Sequence, residues 1–146
     1  MAKIHQLSVF VENKLGHLAV PCRILADAGL NMVALSLADT VSYGILRIIV
    51  RDWEKAKSVL ERAGIVVKMT EVVAVEVPDA PGGLADLLSA MGERKINVEY
   101  MYAFTRRHGD KAMLIFRFED PDAAVAALNA HGAGVLARID LFGDDA

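Results

Sequence analysis

Near the start of the chain, Leu7, Val9 and Val11 alternate with Gln6, Ser8 and Phe10. A period of two predicts a strand. Val73, Val75 and Val77 repeat that pattern later in the chain. Leu84, Leu87, Leu88 and Met91 then fall at i, i+3, i+4 and i+7, which predicts one apolar stripe on a helix. Two β-rich runs separated by a turn come next, and they occur twice. The first pair covers 30–38 and 44–50, the second 96–104 and 112–118. Asp52 and Asp120 follow, each suited to cap a helix start. Val59 and Leu60 supply the apolar side of the first of these helices, and Val125 and Leu128 that of the second. Gly64 and Gly132 are expected stops. Closing strands are expected over 65–70 and, less sharply bounded, 133–142.

The chain therefore repeats itself. Gly82 lies 66 positions after Gly16, and the same step carries Leu18 to Leu84, Ala19 to Ala85 and Asn31 to Asn97. Farther on the step is 68, from Asp52 to Asp120, Leu60 to Leu128 and Gly64 to Gly132. The turn around 105–111 absorbs the difference. Each half reads β-α-β-β-α-β. Right-handed crossovers then favour an antiparallel sheet with both helices on one face. The expected class is α+β: two tandem ferredoxin-like modules, residues 1–70 and 71–146. Met32, Val33, Ala34, Leu35 and Leu37 place apolar groups on both faces of the sheet. An open apolar face of that size predicts association with a sister module or another chain.

Between the first strand and first helix of the second half stands Asp79-Ala80-Pro81-Gly82-Gly83-Leu84. Two glycines permit backbone angles closed to other residues and a close approach to the main chain. A helix beginning there exposes its first N–H groups, which attract a carboxylate. Asp79 is placed either to cap the helix or to hold an ammonium group. Asn97 offers a donor and an acceptor. Carboxylate beside ammonium is the head of an amino acid. The same residues also suit a plain strand-to-helix turn.

The pattern D-x-P-G-x-L, here 79–84, followed by I-N-V at 96–98, resembles the ACT domain, a regulatory module that binds amino acids. The resemblance covers nearly the whole chain as two copies. It implies ligand-binding roles for Asp79, Ala80, Pro81, Gly82, Gly83, Leu84 and Asn97. It implies weaker roles for Asn13, Leu15, Gly16, His17, Leu18 and Asn31. It also implies pairing of modules, with the ligand at a module interface. The first copy departs from the pattern: Asn13 replaces the acid, Leu15 the proline, and His17 stands beside the glycine. Pro21 falls inside the expected first helix, which must start late or bend.

Composition narrows the function. The 146 residues are 54% hydrophobic, which favours buried association and predicts a homo-oligomer, a dimer at its simplest. A net charge of −3 argues against nucleic acid as a partner. No apolar run is long enough for a membrane span, and the start MAKIHQLSVF does not read as a secretory signal. A lone Cys22 points to a reducing cytoplasm. His5, His17, His108 and His131 lack metal-ligand spacing, and no cofactor motif or catalytic constellation stands out. Tyr100, Tyr102 and Phe104 read as packing residues rather than a base-stacking platform. Arg106-Arg107-His108 reads as a solvated hairpin tip, and the tail 143–146 as frayed. The expected function is a non-catalytic sensor of a free amino acid. The alternatives are a regulatory subunit of an amino-acid biosynthetic enzyme, such as acetolactate synthase, and a ligand-independent dimerisation module.

Overall fold

A computed structural model describes residues 3–39, 42–107 and 109–143. His108 and residues 144–146 of the tail, both read above, lie outside the described residues. The chain forms two compact units, His5–Thr70 and Met1–Ile4 with Glu71–Ala146, called here the first and second modules.

The first module contains β1 (Lys3–Glu12), α1 (Ala19–Asp27), β2 (Met32–Asp39), β3 (Tyr43–Val50), α2 (Trp53–Arg62) and the start of β4 (Val67–Pro78). Its strands lie in the order β2-β3-β1-β4. Leu7 faces Ile48 across β1 and β3, and Leu35 faces Ile48 across β2 and β3. Leu7, Val9, Leu46, Ile48 and Val50 from the sheet pack on Leu25 of α1 and on Ala56 and Leu60 of α2. Each such fully buried aliphatic side chain contributes roughly 1.5–3 kcal/mol.

The second module continues β4 and adds α3 (Gly83–Glu93), β5 (Val98–Ala103), β6 (Lys111–Phe118), α4 (Pro121–His131), β7 (Gly134–Leu136) and α5 (Arg138–Phe142). Its order is β7-β4-β6-β5, the same plan as the first. Its core joins Val73, Val75, Val77, Phe116 and Phe118 to Leu87, Met91 and Leu128. In both modules the helices cover one face of an antiparallel sheet, the α+β arrangement expected from the repeat.

Capping explains where α2 and α4 begin. The Asp52 carboxylate accepts from the Lys55 amide at 3.1 Å, and Asp120 accepts from Ala123 at 3.1 Å. Gly132 ends α4 with φ +82°, a left-handed conformation that suits glycine.

Four details differ from the sequence reading. The closing strand of the first module and the opening strand of the second are one strand, β4, of 12 residues. The last strand is short. After β7 the chain turns into α5, where the Asp140 carboxylate accepts from the Ala137 amide at 2.7 Å. That bond fixes a helical start where an extended run was expected. Leu88 is exposed: the buried stripe of α3 runs through Leu87, Ala90 and Met91, and Leu88 sits at its margin. The alternation in β1 does not separate inside from outside, because Gln6 and Ser8 are buried as well as Leu7 and Val9.

Candidate functional site: two bends of one design

The two strand-to-helix bends share a backbone. Gly16 and Gly82 adopt φ of +86° and +89°, where an L side chain is strained. The residue after each glycine donates its amide three residues back: His17 to the Lys14 carbonyl and Gly83 to the Ala80 carbonyl, both at 3.1 Å. The repeat noticed in the letters is thus a repeat of one hydrogen-bonded turn.

The second bend is tightly seated. A Cβ on Gly83 would collide with the Pro78 carbonyl oxygen, so the start of α3 rests on the end of β4. Gly83 is therefore required for an approach of protein to protein. Gly82 is the N-cap of α3, and no side chain caps this helix. Asp79 instead forms an ion pair with Arg107, Nη2 to Oδ2 at 2.7 Å. Arg107 was read as a solvated tip; the register of β4 and β6 carries the hairpin end back to Asp79. Ala80, Pro81 and Asn97 are exposed, and Leu84 is half-buried against the core.

The first bend is built differently. His17 occupies the position of Gly83, and α1 starts at Ala19, two residues later than its counterpart. The late start puts Pro21 in the first turn, where its missing N–H costs no hydrogen bond. The N-cap, Leu18, makes no side-chain cap. Asn13, Leu15, Gly16, His17, Leu18 and Asn31 are all exposed, Leu15 fully so at 104%. Beside this bend lies an open cavity of about 750 Å³. Phe10, Val11, Glu12, His17, Val20, Pro21, Tyr43, Gly64, Ile65 and Val66 line it. Of the thirteen residues singled out from sequence, His17 alone is in that lining. The other walls come from the end of β1, the first turn of α1, the start of β3 and the approach to β4, the last two distant from the bend in sequence. Glu12 pairs with Lys14, Oε2 to Nζ at 2.9 Å. A hydrogen bond from Lys14, then its charge, hold the Glu12 carboxyl below its ordinary pKa of 4.5, and the pair raises that of Lys14.

Exposed large apolar side chains are unevenly distributed among the described residues. Phe10, Leu15, Leu18, Val20, Leu35, Leu37, Tyr43 and Val66 belong to the first module, and Leu88 to the second. Phe104 is buried and Tyr100 and Tyr102 are half-buried, so this row is not an open stacking surface. Among the described residues no group of three or more His, Cys, Asp or Glu is placed to hold a metal ion. No helix there is long and apolar enough to cross a membrane.

Residues 2–137 match the family model described as an ACT domain pair. The chain belongs to the ACT domain pair family. The ACT domain resemblance read from 79–84 and 96–98 is thereby borne out. The crystal structure of protein BT0572 from Bacteroides thetaiotaomicron is 34% identical, with a TM-score of 0.90, covering 97% of this chain and 96% of that one. The same fold recurs in the ligand-free regulatory subunit of aspartate kinase from Thermus thermophilus. That protein is 18% identical with a TM-score of 0.62, over 86% of this chain and 91% of the other. The regulatory subunit of aspartate kinase from Thermus flavus is 14% identical, TM-score 0.60, over 89% and 92%. No curated protein matches this ACT domain pair.

Proposed function

We propose that this ACT domain pair, with residues 1–70 and 71–146 as its two modules, is a non-catalytic regulatory protein that binds a free amino acid at its strand-to-helix bends. The observation that carries the reading is the cavity of about 750 Å³ beside the first bend. Its size is in the range of small-molecule sites, roughly 300–1,000 Å³. Glu12 in its lining pairs with the ammonium of Lys14 in the bend, and the start of α1 nearby has no side-chain cap. Such a pair complements the two charges of an amino acid. The second bend offers Asp79 and Arg107 as a similar pair, with Gly82 at the helix start, and Asn97 stands just before β5. Binding reports itself through association: a ligand that orders an interface couples occupancy to assembly.

A thermal-shift screen against the common amino acids tests the reading. A ligand at 100 times its Kd adds about 2.7 kcal/mol, which raises Tm by several degrees. A flat response to all of them overturns it.

The second reading is a regulatory subunit for an amino-acid biosynthetic enzyme. The exposed Leu15, Leu18 and Val20 around the first bend favour a protein partner or a second copy of this chain. A stable one-to-one complex with a defined enzyme, lost on Leu15→Asp, supports it; sedimentation as a homodimer alone supports self-association.

A further inference from the structure

Resting on the reading that the first bend takes an amino acid, we propose that this site selects a large apolar side chain, aromatic or branched aliphatic. Phe10, Val20, Pro21, Tyr43, Ile65 and Val66 build its walls, and the charged groups stand at the end of β1 and in the bend. A zwitterion whose head meets Glu12 and Lys14 directs its side chain along those walls. A charged side chain laid there loses water and meets, apart from the Tyr43 hydroxyl, only apolar groups on those walls. An apolar one removes Phe10, Val20 and Val66, all now exposed, from water together with itself. Glycine and alanine leave most of the cavity unfilled. One missing methylene in an apolar pocket lowers affinity by about tenfold or more.

The rings of Phe10 and Tyr43 add a geometric preference. Aromatic pairs gain from offset or edge-to-face contact beyond area alone. Phenylalanine and leucine are therefore expected at the head of the affinity order, alanine well below, and aspartate and lysine at the bottom.

Calorimetric titration of the full chain with phenylalanine, leucine, alanine, glycine, aspartate and lysine tests this. The expected result is at least tenfold tighter binding of phenylalanine or leucine than of alanine. Val66→Asp is expected to weaken the apolar ligands by at least tenfold; Val66 is 66% exposed, so the fold tolerates the change. Unfolding midpoints measured on the same samples confirm that tolerance, and Val20→Asp serves as the second variant. Binding of aspartate or lysine without phenylalanine or leucine overturns the selectivity while leaving the amino-acid reading intact. Apolar binding unaffected by both variants also overturns it. Silence from all six, extended to the remaining common amino acids, overturns the reading itself.

Discussion

Two bends of one hydrogen-bonded design differ at Asn13/Asp79, Lys14/Ala80, Leu15/Pro81 and His17/Gly83, and the last of these bears most directly on where each helix starts. Where the second module has Gly83, the first has His17. Without a side chain, Gly83 lets α3 begin against the Pro78 carbonyl. With His17 in that place, α1 begins two residues later and an apolar cavity opens beside it. Of a glycine pair of the kind that suggests a ligand loop, Gly83 is here needed for protein packing and Gly82 for its left-handed backbone. The less conforming copy borders the cavity of about 750 Å³.

The comparison is broken most directly at that position. Gly83→Ala is expected to cost about 2–3 kcal/mol, because the added methyl meets backbone that cannot yield. His17→Ala, at an exposed residue, is expected to stay within about 0.5 kcal/mol. Urea unfolding of both variants measures this, and equal losses would erase the distinction between the bends. Gly16→Ala and Gly82→Ala come next. Both glycines hold φ near +86° to +89°, so each change is expected to cost about 1–2 kcal/mol, and by similar amounts. Unequal losses would mean that the shared turn is not equally required.

Smaller effects sharpen the comparison farther along the repeat. Gly29 ends α1 with φ +72°, and its counterpart 66 positions on is Lys95, with φ +58°. In both copies the next residue donates back to the helix, Leu30 to Leu25 and Ile96 to Met91, at 2.9 Å. Gly29→Lys is expected to cost about 1 kcal/mol. Lys95→Gly is expected to gain about 0.5 kcal/mol, reduced by the added freedom of the unfolded chain. Thermal unfolding of the two variants distinguishes the opposite signs.

The smallest effect is one of pH. Lys14, and more weakly His17, hold the Glu12 carboxyl below its ordinary value of 4.5. A depressed carboxyl contributes above its unfolded value and loses that contribution as pH falls through the folded one. Ligand affinity at the first bend is therefore expected to be level from pH 8 to 5 and to fall only below 4.5. Calorimetry across that range follows it, and a break above pH 5 would show that the Glu12 carboxyl does not govern binding.

The fold was legible because the repeat states it twice. Alternating valines, Asp52 and Asp120 as caps, and Gly132 as a stop each act through local backbone chemistry, which sequence displays directly. The end of the chain was harder to read. Asp140 reaches back to the Ala137 amide and turns an apolar run into α5, a choice made by one hydrogen bond. The cavity was largely illegible. Phe10, Tyr43 and Val66 meet only because three strand ends converge, and neither spacing nor motif marks them. Arg107 was missed for the same reason, since strand register rather than proximity in sequence brings it to Asp79. His17 was found because it disrupts the repeat.

Amide NMR during titration with phenylalanine tests the central claim most directly. The account predicts the largest shifts over residues 10–20 and 64–66, saturating together. Shifts confined to residues 79–84 and 97, with the first bend silent, would contradict it.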